Sequence, residues 1–458
     1  MENFDIIILG AGPAGAAAAL KARKLGKSAL CVDSGKIGGT CLNRGCIPTK
    51  ALLRSAEVWE LARACCEFGV FIDGANFDFS KVRARAASAV ERLAKGLEFS
   101  FKQSGAKFLS GAAKIVSANA VEVQTSDGQR SVFGAQKILI ATGSRPKRLK
   151  FLDYSSPRIL DSSKALALES VPQKVLIVGA GAIGVEFASI WSAFGAEVTL
   201  AEMKNCMLPN EDADCVRALE RSFRRRSVKI KTGTALKSAF SDEVCVRAVL
   251  ESKGAEETVE AEFMLVCAGV EPNSENIADA VFGLKKCPRG FIETDENFKT
   301  SVENIYAAGD VRGKNLLAHS ASFEAERAVE IMFGAREGGG HIPAIPFCAY
   351  SFPQVAGVGE TEESARAKYG ERVRTAKVQF MANGKAAVSG DTEGLVKLIC
   401  LEDGRLLGAR IAGAAASEMI SVCALALSMG ATVKDLADCV LPHPTFSEAI
   451  SDCAKLLI

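Results

Sequence analysis

Apolar residues in this chain fall into short runs, and each run is followed by glycines. Residues 5–33 read DIIILGAGPAGAAAALKARKLGKSALCVD. The pattern predicts a buried strand over 5–9, a glycine-rich turn, an Ala-rich helix and a second strand ending at Asp33. Residues 174–202, KVLIVGAGAIGVEFASIWSAFGAEVTLAE, repeat the order: strand, G-x-G-x-x-G, helix, strand, acid. Gly26 and Gly195 hold the same place relative to Gly10 and Gly179, and so do Asp33 and Glu202. Each half carries a later echo, KILIATGSRP (137–146) and FMLVCAGVEP (263–272), and NIYAAGD (304–310) again runs from strand to Gly-Asp. From Gly338 the texture changes. GGGHIPAIPFCAYSFPQ, rich in Gly and Pro, reads as a linker. Beyond it, strands are predicted over Thr375–Phe380, Gly394–Cys400 and Leu406–Ala412. Helices are predicted over Thr361–Lys368, Ala416–Met429 and Phe446–Leu457, with Gly430 as a stop and Thr445 as a cap.

The repeat sets the fold class: α/β, with two Rossmann-like dinucleotide-binding domains, the second inserted into the first, and a C-terminal α+β domain. The expected boundaries are 1–147, 148–270, 271–338 (returning to the first domain) and 339–458. In each loop the first glycine (Gly10, Gly179) permits the tight turn. The second (Gly12, Gly181) lets a pyrophosphate approach, and the third (Gly15, Gly184) lets helix pack on strand. The helix N-terminus presents free N–H groups to the phosphates, and the acid is expected to accept from a ribose diol.

Composition narrows the class without redirecting it. At 458 residues the chain is too long for one core, so two to four domains are expected. Lys plus Arg (56) nearly balances Asp plus Glu (54), so no pull toward nucleic acid or an anionic membrane follows. No leader pattern precedes the first strand and no apolar run reaches the ~20 residues of a bilayer span, so a cytoplasmic protein is expected. In a reducing compartment most of the fifteen cysteines pack as small apolar residues. That includes the adjacent pair Cys65 and Cys66, whose bridging would need a strained ring.

Cys41 and Cys46 stand apart from the rest. They lie in GGTCLNRGCIPTKALL, between the second strand and a helical run. No second pair of ligands sits at zinc spacing. Four intervening residues allow a disulfide across one distorted helical turn, and a helix start with Lys50 nearby is expected to favour thiolate. Two dinucleotide folds and one cystine suggest FAD, NAD and a dithiol substrate, because a flavin can mediate between nicotinamide and disulfide. Such exchange needs a base, and the chain has three histidines. His443 is followed by Glu448, a carboxylate able to orient its ring. His341 sits in the linker and His319 beside a predicted helix. Glu186 is buried by pattern and needs a partner, for which Lys50 is the candidate.

These residues resemble the pyridine nucleotide–disulfide oxidoreductases, and among them the dihydrolipoamide dehydrogenases, over essentially the whole chain. GGTCLNRGCIPTK is similar to their redox signature and HPTFSE to their C-terminal His–Glu motif. YAAGDV, LLAHSA, SFPQVAGVGETEE and FMANGKAAVSGDTEGLVKLI are similar to further blocks. The resemblance implies that Cys41 attacks the substrate and Cys46 lies nearest the flavin. His443 is the implied base, oriented by Glu448 and supplied by the partner subunit of a homodimer through a C-terminal dimerisation domain. It implies FAD contacts from Gly10, Gly12, Gly15, Asp33, Gly38, Gly39, Thr40, Lys50, Ala113, Thr142, Gly143, Ser144, Asp310, Leu317, Ala318 and His319. NAD contacts are implied for Gly179, Gly181, Ala182, Ile183, Gly184, Glu186, Glu202 and Gly269. Glu202 favours NAD, since an acid there repels a 2′-phosphate. The implied reaction oxidises dihydrolipoamide on a lipoyl-bearing protein of a 2-oxo acid dehydrogenase or glycine cleavage system. Reduction of another small disulfide, or an added docking role in a multienzyme complex, are the alternatives. Three places depart from the family pattern: AGVEPN, with Glu271, stands where many relatives have Gly-Arg-x-Pro-Asn, Asp33 replaces Glu, and Ala182 replaces the tyrosine of glutathione reductase.

Overall fold

The computed structural model describes residues 1–279, 282–339 and 342–458, so the sequence-based reading of His341 lies outside the described residues. The chain forms two compact units, each built from three stretches.

The first unit comprises Met1–Ala51, Ser80–Lys147 and Gly269–His341. The strands Asn3–Leu9, Ala29–Asp33 and Lys107–Ser110 pair in parallel, and Asn3–Leu9 also pairs in parallel with Arg130–Ile140. Ile305–Ala307 adds a further parallel strand. Ile6, Ile7 and Ile8 are fully buried, which explains the unbroken apolar run: a parallel sheet covered on both faces has no polar side. The first half of Arg130–Ile140 turns antiparallel, to join the meander Ala112–Ser117 and Ala120–Gln124. The helix Pro13–Lys24 shares one buried cluster with the helix Ala318–Met332, with Ala14, Ala18 and Ala22 on one side and Ala321, Ala325 and Ala328 on the other.

The second unit comprises Leu52–Phe79, Arg148–Ala268 and Ile342–Ile458. Its parallel sheet is ordered Lys229–Lys231, Glu197–Ala201, Lys174–Val178, Phe263–Val266, Ile159–Leu160. Beside it run three antiparallel strands within 235–261. A five-stranded antiparallel sheet, ordered Phe347–Ala349, Gln354–Gly359, Leu406–Gly413, Leu395–Leu401, Val373–Gln379, forms the C-terminal part. The three strands expected there form within two residues of their predicted ends.

Two expectations need correction. Within the segment read as a linker, Phe347–Ala349 pairs antiparallel with Gln354–Gly359. Edge position tolerates the prolines around it. The last helix spans Glu448–Lys455, not Phe446–Leu457, and Ser447 rather than Thr445 occupies its N-cap. Phe446 is stacked on Phe380 instead (centroids 5.5 Å apart), and the Thr445 N–H is taken by Glu448. Among the described residues, no helix is long and apolar enough to cross a membrane.

Candidate active site

The two glycine loops are built alike. Gly10 and Gly179 have φ of +104° and +105°, a region closed to most side chains. A Cβ on Gly10 would collide with the Ala141 carbonyl, and one on Gly179 with the Cys267 carbonyl. A Cβ on Gly15 or Gly184 would strike the carbonyl of Gly10 or Gly179, so the third glycine permits the helix to pack against its own turn. By contrast, nothing lies within 4 Å of the Cβ position at Gly181, and at Gly12 only Gly39 Cα, at 3.9 Å. Gly12 and Gly181 are the N-caps of Pro13–Lys24 and of Ala182–Ala193, and neither helix has a side-chain cap. The first-turn N–H groups are thus left for an anion. Ala182 and Ile183 open the second helix, and Ile183 is exposed.

The acids do something the sequence did not announce. Asp33 accepts from the N–H groups of Ala11 (2.7 Å) and Gly35 (2.7 Å), and Glu202 from those of Ala180 (2.7 Å) and Lys204 (2.8 Å). Each carboxylate therefore clamps its glycine loop to the following turn, and its remaining lone pairs stay available to a diol.

The first unit also brings some of the expected residues to its loop. Gly38 and Gly39 are left-handed, and a Cβ on Gly39 would press on Gly12. Thr40 and Cys41 lie in the short helix Gly39–Arg44, which Gly45 terminates before Cys46 opens the helix Cys46–Ala64. Cys41 and Cys46 stand as two thiols within hydrogen-bonding reach of each other. Their contact corrects one expectation. The Cys41 thiol is pushed well above the usual range, first by its bond to Cys46 and then by burial, and the nearby Lys50 only partly opposes this. The two thiols titrate as a pair: once one has ionised, the remaining proton is shared between them and is the harder one to remove.

The Ser144 hydroxyl donates to the Asp310 carboxylate (2.6 Å), and burial pushes the Asp310 carboxyl up against that pull. Thr142 and Gly143 are tied to Asn273: the Thr142 hydroxyl donates to the Asn273 carbonyl (2.6 Å), and the Asn273 N–H donates to Gly143. Leu317 is the N-cap of the helix in which Ala318 and His319 are the first residues, and Ala113 lies in the Ala112–Ser117 strand.

Sequence reading missed four residues here. Arg312 and Glu324 form a buried ion pair (2.8 Å), and Glu324 also accepts from the Gly309 N–H (2.9 Å), which fixes the turn that presents Asp310. Arg145 holds Glu271 (3.0 Å) and Glu275 (2.7 Å) where the strands Ser144–Pro146 and Val270–Pro272 pair, with Glu271 directly opposite Arg145. The signal was Arg145 and Glu271 at matching places in the two echoes. Gly269 accepts from the Lys147 N–H beside them.

In the second unit, Glu186 is buried as expected, and accepts from the Tyr350 N–H (3.0 Å). Lys50 belongs to the first unit and Glu186 to the second. His443 Nδ1 meets Glu448 Oε1 at 2.9 Å, while the other oxygen accepts from the Thr445 N–H at 2.7 Å. Those two contacts, the backbone one first, hold the Glu448 carboxyl below its usual range. The His443 side chain is 77% exposed, so its far nitrogen is open to a reacting group.

Residues 4–325 match the family described as pyridine nucleotide-disulphide oxidoreductase. The chain belongs to that family. Residues 345–454 match the dimerisation domain of these oxidoreductases. The chain is 40% identical over 454 residues to a dihydrolipoyl dehydrogenase of Chlorobaculum parvum, covering 99% of this chain and 96% of that one. It is 37% identical to the dihydrolipoyl dehydrogenase of Zymomonas mobilis, covering 98% and 97%. Two solved structures superpose over the full length of both chains. LpdA from Mycobacterium tuberculosis does so with a TM-score of 0.92 at 25% identity. The Cu(II) complex of the HOCl-induced flavoprotein disulfide reductase RclA from Escherichia coli does so with 0.88 at 26%.

Proposed function

We propose that this oxidoreductase oxidises protein-bound dihydrolipoamide to lipoamide and reduces NAD, using bound FAD and the Cys41–Cys46 pair. What carries the assignment is the contact between these two thiols, in the same unit as the first glycine loop. Relatives named dihydrolipoyl dehydrogenase at 36–40% identity over nearly the full chain support the substrate.

The cradle fits FAD: an uncapped helix start behind Gly12, room at Gly12, the close backbone approach of Gly39 to Gly12, and Asp33 and Asp310 beside the loops. Lys50, Ala113, Thr142–Ser144 and Leu317–His319 complete it. Bound there, FAD carries an electron pair between the dithiol and the nicotinamide. The second loop takes NAD through Gly179–Glu186, Glu202 and Gly269.

With the pair oxidised, one substrate thiolate attacks the Cys41 sulfur and releases Cys46 as thiolate. The second substrate thiolate then closes the lipoyl ring and releases Cys41. His443, oriented by Glu448, accepts the substrate protons, and the homodimer supplies this pair from the partner subunit. Two electrons leave the substrate and reappear on NADH with one proton, and His443 passes the second proton to solvent. The four-part division at 147, 270 and 338 assigns these roles to domains. A cytoplasmic setting and a lipoyl-bearing protein of a 2-oxo acid dehydrogenase or glycine cleavage system complete the proposal.

The test is a steady-state assay of the yellow protein with dihydrolipoamide and NAD, then NADP, followed through the reduced nicotinamide. Fast turnover with NAD, lost in Cys41→Ser, is expected. No turnover, but reduction of another disulfide by NADH, would move the substrate and keep the mechanism.

A further inference from the structure

Three cations stand in one row across the C-terminal sheet. Lys377 pairs with Lys397, Lys397 with Arg410, and Arg410 with Gly357 on four neighbouring strands. Lys397 and Arg410 are buried. Like charges directly opposite on neighbouring strands repel, so this row is unfavourable by itself.

Residues 211–214 neutralise it. Lys397 Nζ contacts Asp212 (2.9 and 3.1 Å), Asp214 (2.9 Å) and Glu362 (2.7 Å). Lys377 reaches Asp214 (3.1 Å), and Arg410 Nε lies 3.5 Å from Glu211 Oε2. Arg410 spends its other nitrogens on the carbonyls of Val358, Ala409 and Gly359. Gly357 leaves the room: a Cβ there would come within 2.7 Å of Glu211 Oε2 and 2.8 Å of Arg410 Cδ. The Asp212 carboxylate also caps the helix Ala213–Arg225.

A buried charge cluster contributes little net stability compared with apolar packing, but it fixes where its partners sit. What it fixes leads to the second glycine loop. Glu211 N–H donates to the Leu208 carbonyl (2.8 Å), and Leu208 N–H donates to the carbonyl of Ala180, between Gly179 and Gly181 (2.9 Å). Leu208 is buried with φ +43°, a conformation that non-glycine residues hold only when their surroundings impose it.

We propose that Lys397 and Arg410, acting through Glu211, Asp212 and Leu208, are positioning residues that set the second glycine loop for the pyridine nucleotide. The sheet matched by the family's dimerisation domain thereby shapes nucleotide affinity. This rests on the second loop being the nucleotide site.

The test is titration of the FAD-loaded protein with NADH, with flavin absorbance, melting temperature and oligomeric state measured alongside. In Lys397→Met, NADH affinity should fall about tenfold while flavin absorbance and KM for dihydrolipoamide hold. Should Lys397→Met fail to fold, Asp212→Asn keeps the helix cap and removes the charge, and should move NADH affinity the same way. A folded variant with lower melting temperature and unchanged NADH affinity overturns the proposal. Glu202→Ala separates the two layers. If it weakens NADH binding and the cluster variants do not, the positioning role falls and the nucleotide site stands. If it too leaves NADH binding unchanged, the nucleotide site itself falls.

Discussion

The two glycine loops share a backbone plan and differ in what braces them. The first is closed by its own unit's helices: Pro13–Lys24 packs on Ala318–Met332 through alanines, and Arg312–Glu324 locks the nearby Asp310 turn. The second is braced differently. Its helix, Ala182–Ala193, is almost wholly buried, and the chain after Glu202 runs into a cluster of charges anchored on another sheet. The same fold element is thus held once mainly by close apolar contact, with one buried ion pair at the Asp310 turn, and once mainly by a larger buried charge cluster. Apolar contact tolerates changes of charge, whereas the charged brace responds to protonation.

Breaking the turns should give the largest effects. Gly15→Ala and Gly184→Ala each drive a Cβ into a backbone carbonyl. Each should cost about 4 kcal/mol or more, since neither neighbour is a flexible side chain. Gly15→Ala should yield little yellow protein, whereas Gly184→Ala should retain flavin and lose NADH binding; absorbance per chain and NADH titration distinguish them. Next come the clamps. Asp33→Ala and Glu202→Ala each remove two backbone bonds to a carboxylate, about 1.5–3 kcal/mol apiece. FAD occupancy should fall in the first and NADH affinity in the second. If both variants lose the same ligand, the division of labour between the loops is wrong.

The charged brace should show in the pH profile. Burial raises the Glu211 carboxyl from 4.5 to about 7, against the pull of Arg410 and with Asp212 adding to the rise. The folded chain keeps this proton where the unfolded chain has lost it, so stability is present below the unfolded value near 4.5 and declines as pH rises to 7. Thermal melts of Glu211→Gln and wild type should agree near pH 5. At pH 8 the variant should be more stable by roughly 2–3 kcal/mol, as about 1.4 kcal/mol per pH unit requires. Equal melts at pH 8 would mean that Arg410 fully offsets the buried charge. The smallest effect is expected at Arg145, whose side chain is 43% exposed. Arg145→Ala should lower stability by at most about 1 kcal/mol, and less in high salt.

What could be read from the sequence follows from how local it is. Both loops, their acids and the Cys41–Cys46 spacing are written within about thirty residues, so the repeat exposes them. His443 and Glu448 are legible for the same reason. The row Lys377–Lys397–Arg410 is made by pairing separate strands, and no spacing announces it. Arg312–Glu324 is close in sequence but joins a turn to a helix at no recurring spacing, whereas Arg145–Glu271 was foreshadowed only by matching places in the two echoes. The strands at 347–359 were hidden by prolines that an edge position accommodates. The Cys41 thiol was read one group at a time; its neighbour, not its helix, sets its proton affinity.

The interleaving of the first unit has a consequence for synthesis on the ribosome. Its parallel sheet begins at Asn3 but receives the Ile305–Ala307 strand only after the whole Arg148–Ala268 stretch of the other unit has been made. Until then the edge of Arg130–Ile140 is unpaired, and the alanine face of Pro13–Lys24 has no helix to cover it. Both are sites for wrong contacts between nascent chains. A growing chain should therefore stay sensitive to proteases and dependent on chaperones until Met332 has emerged, whatever the stability of the finished protein.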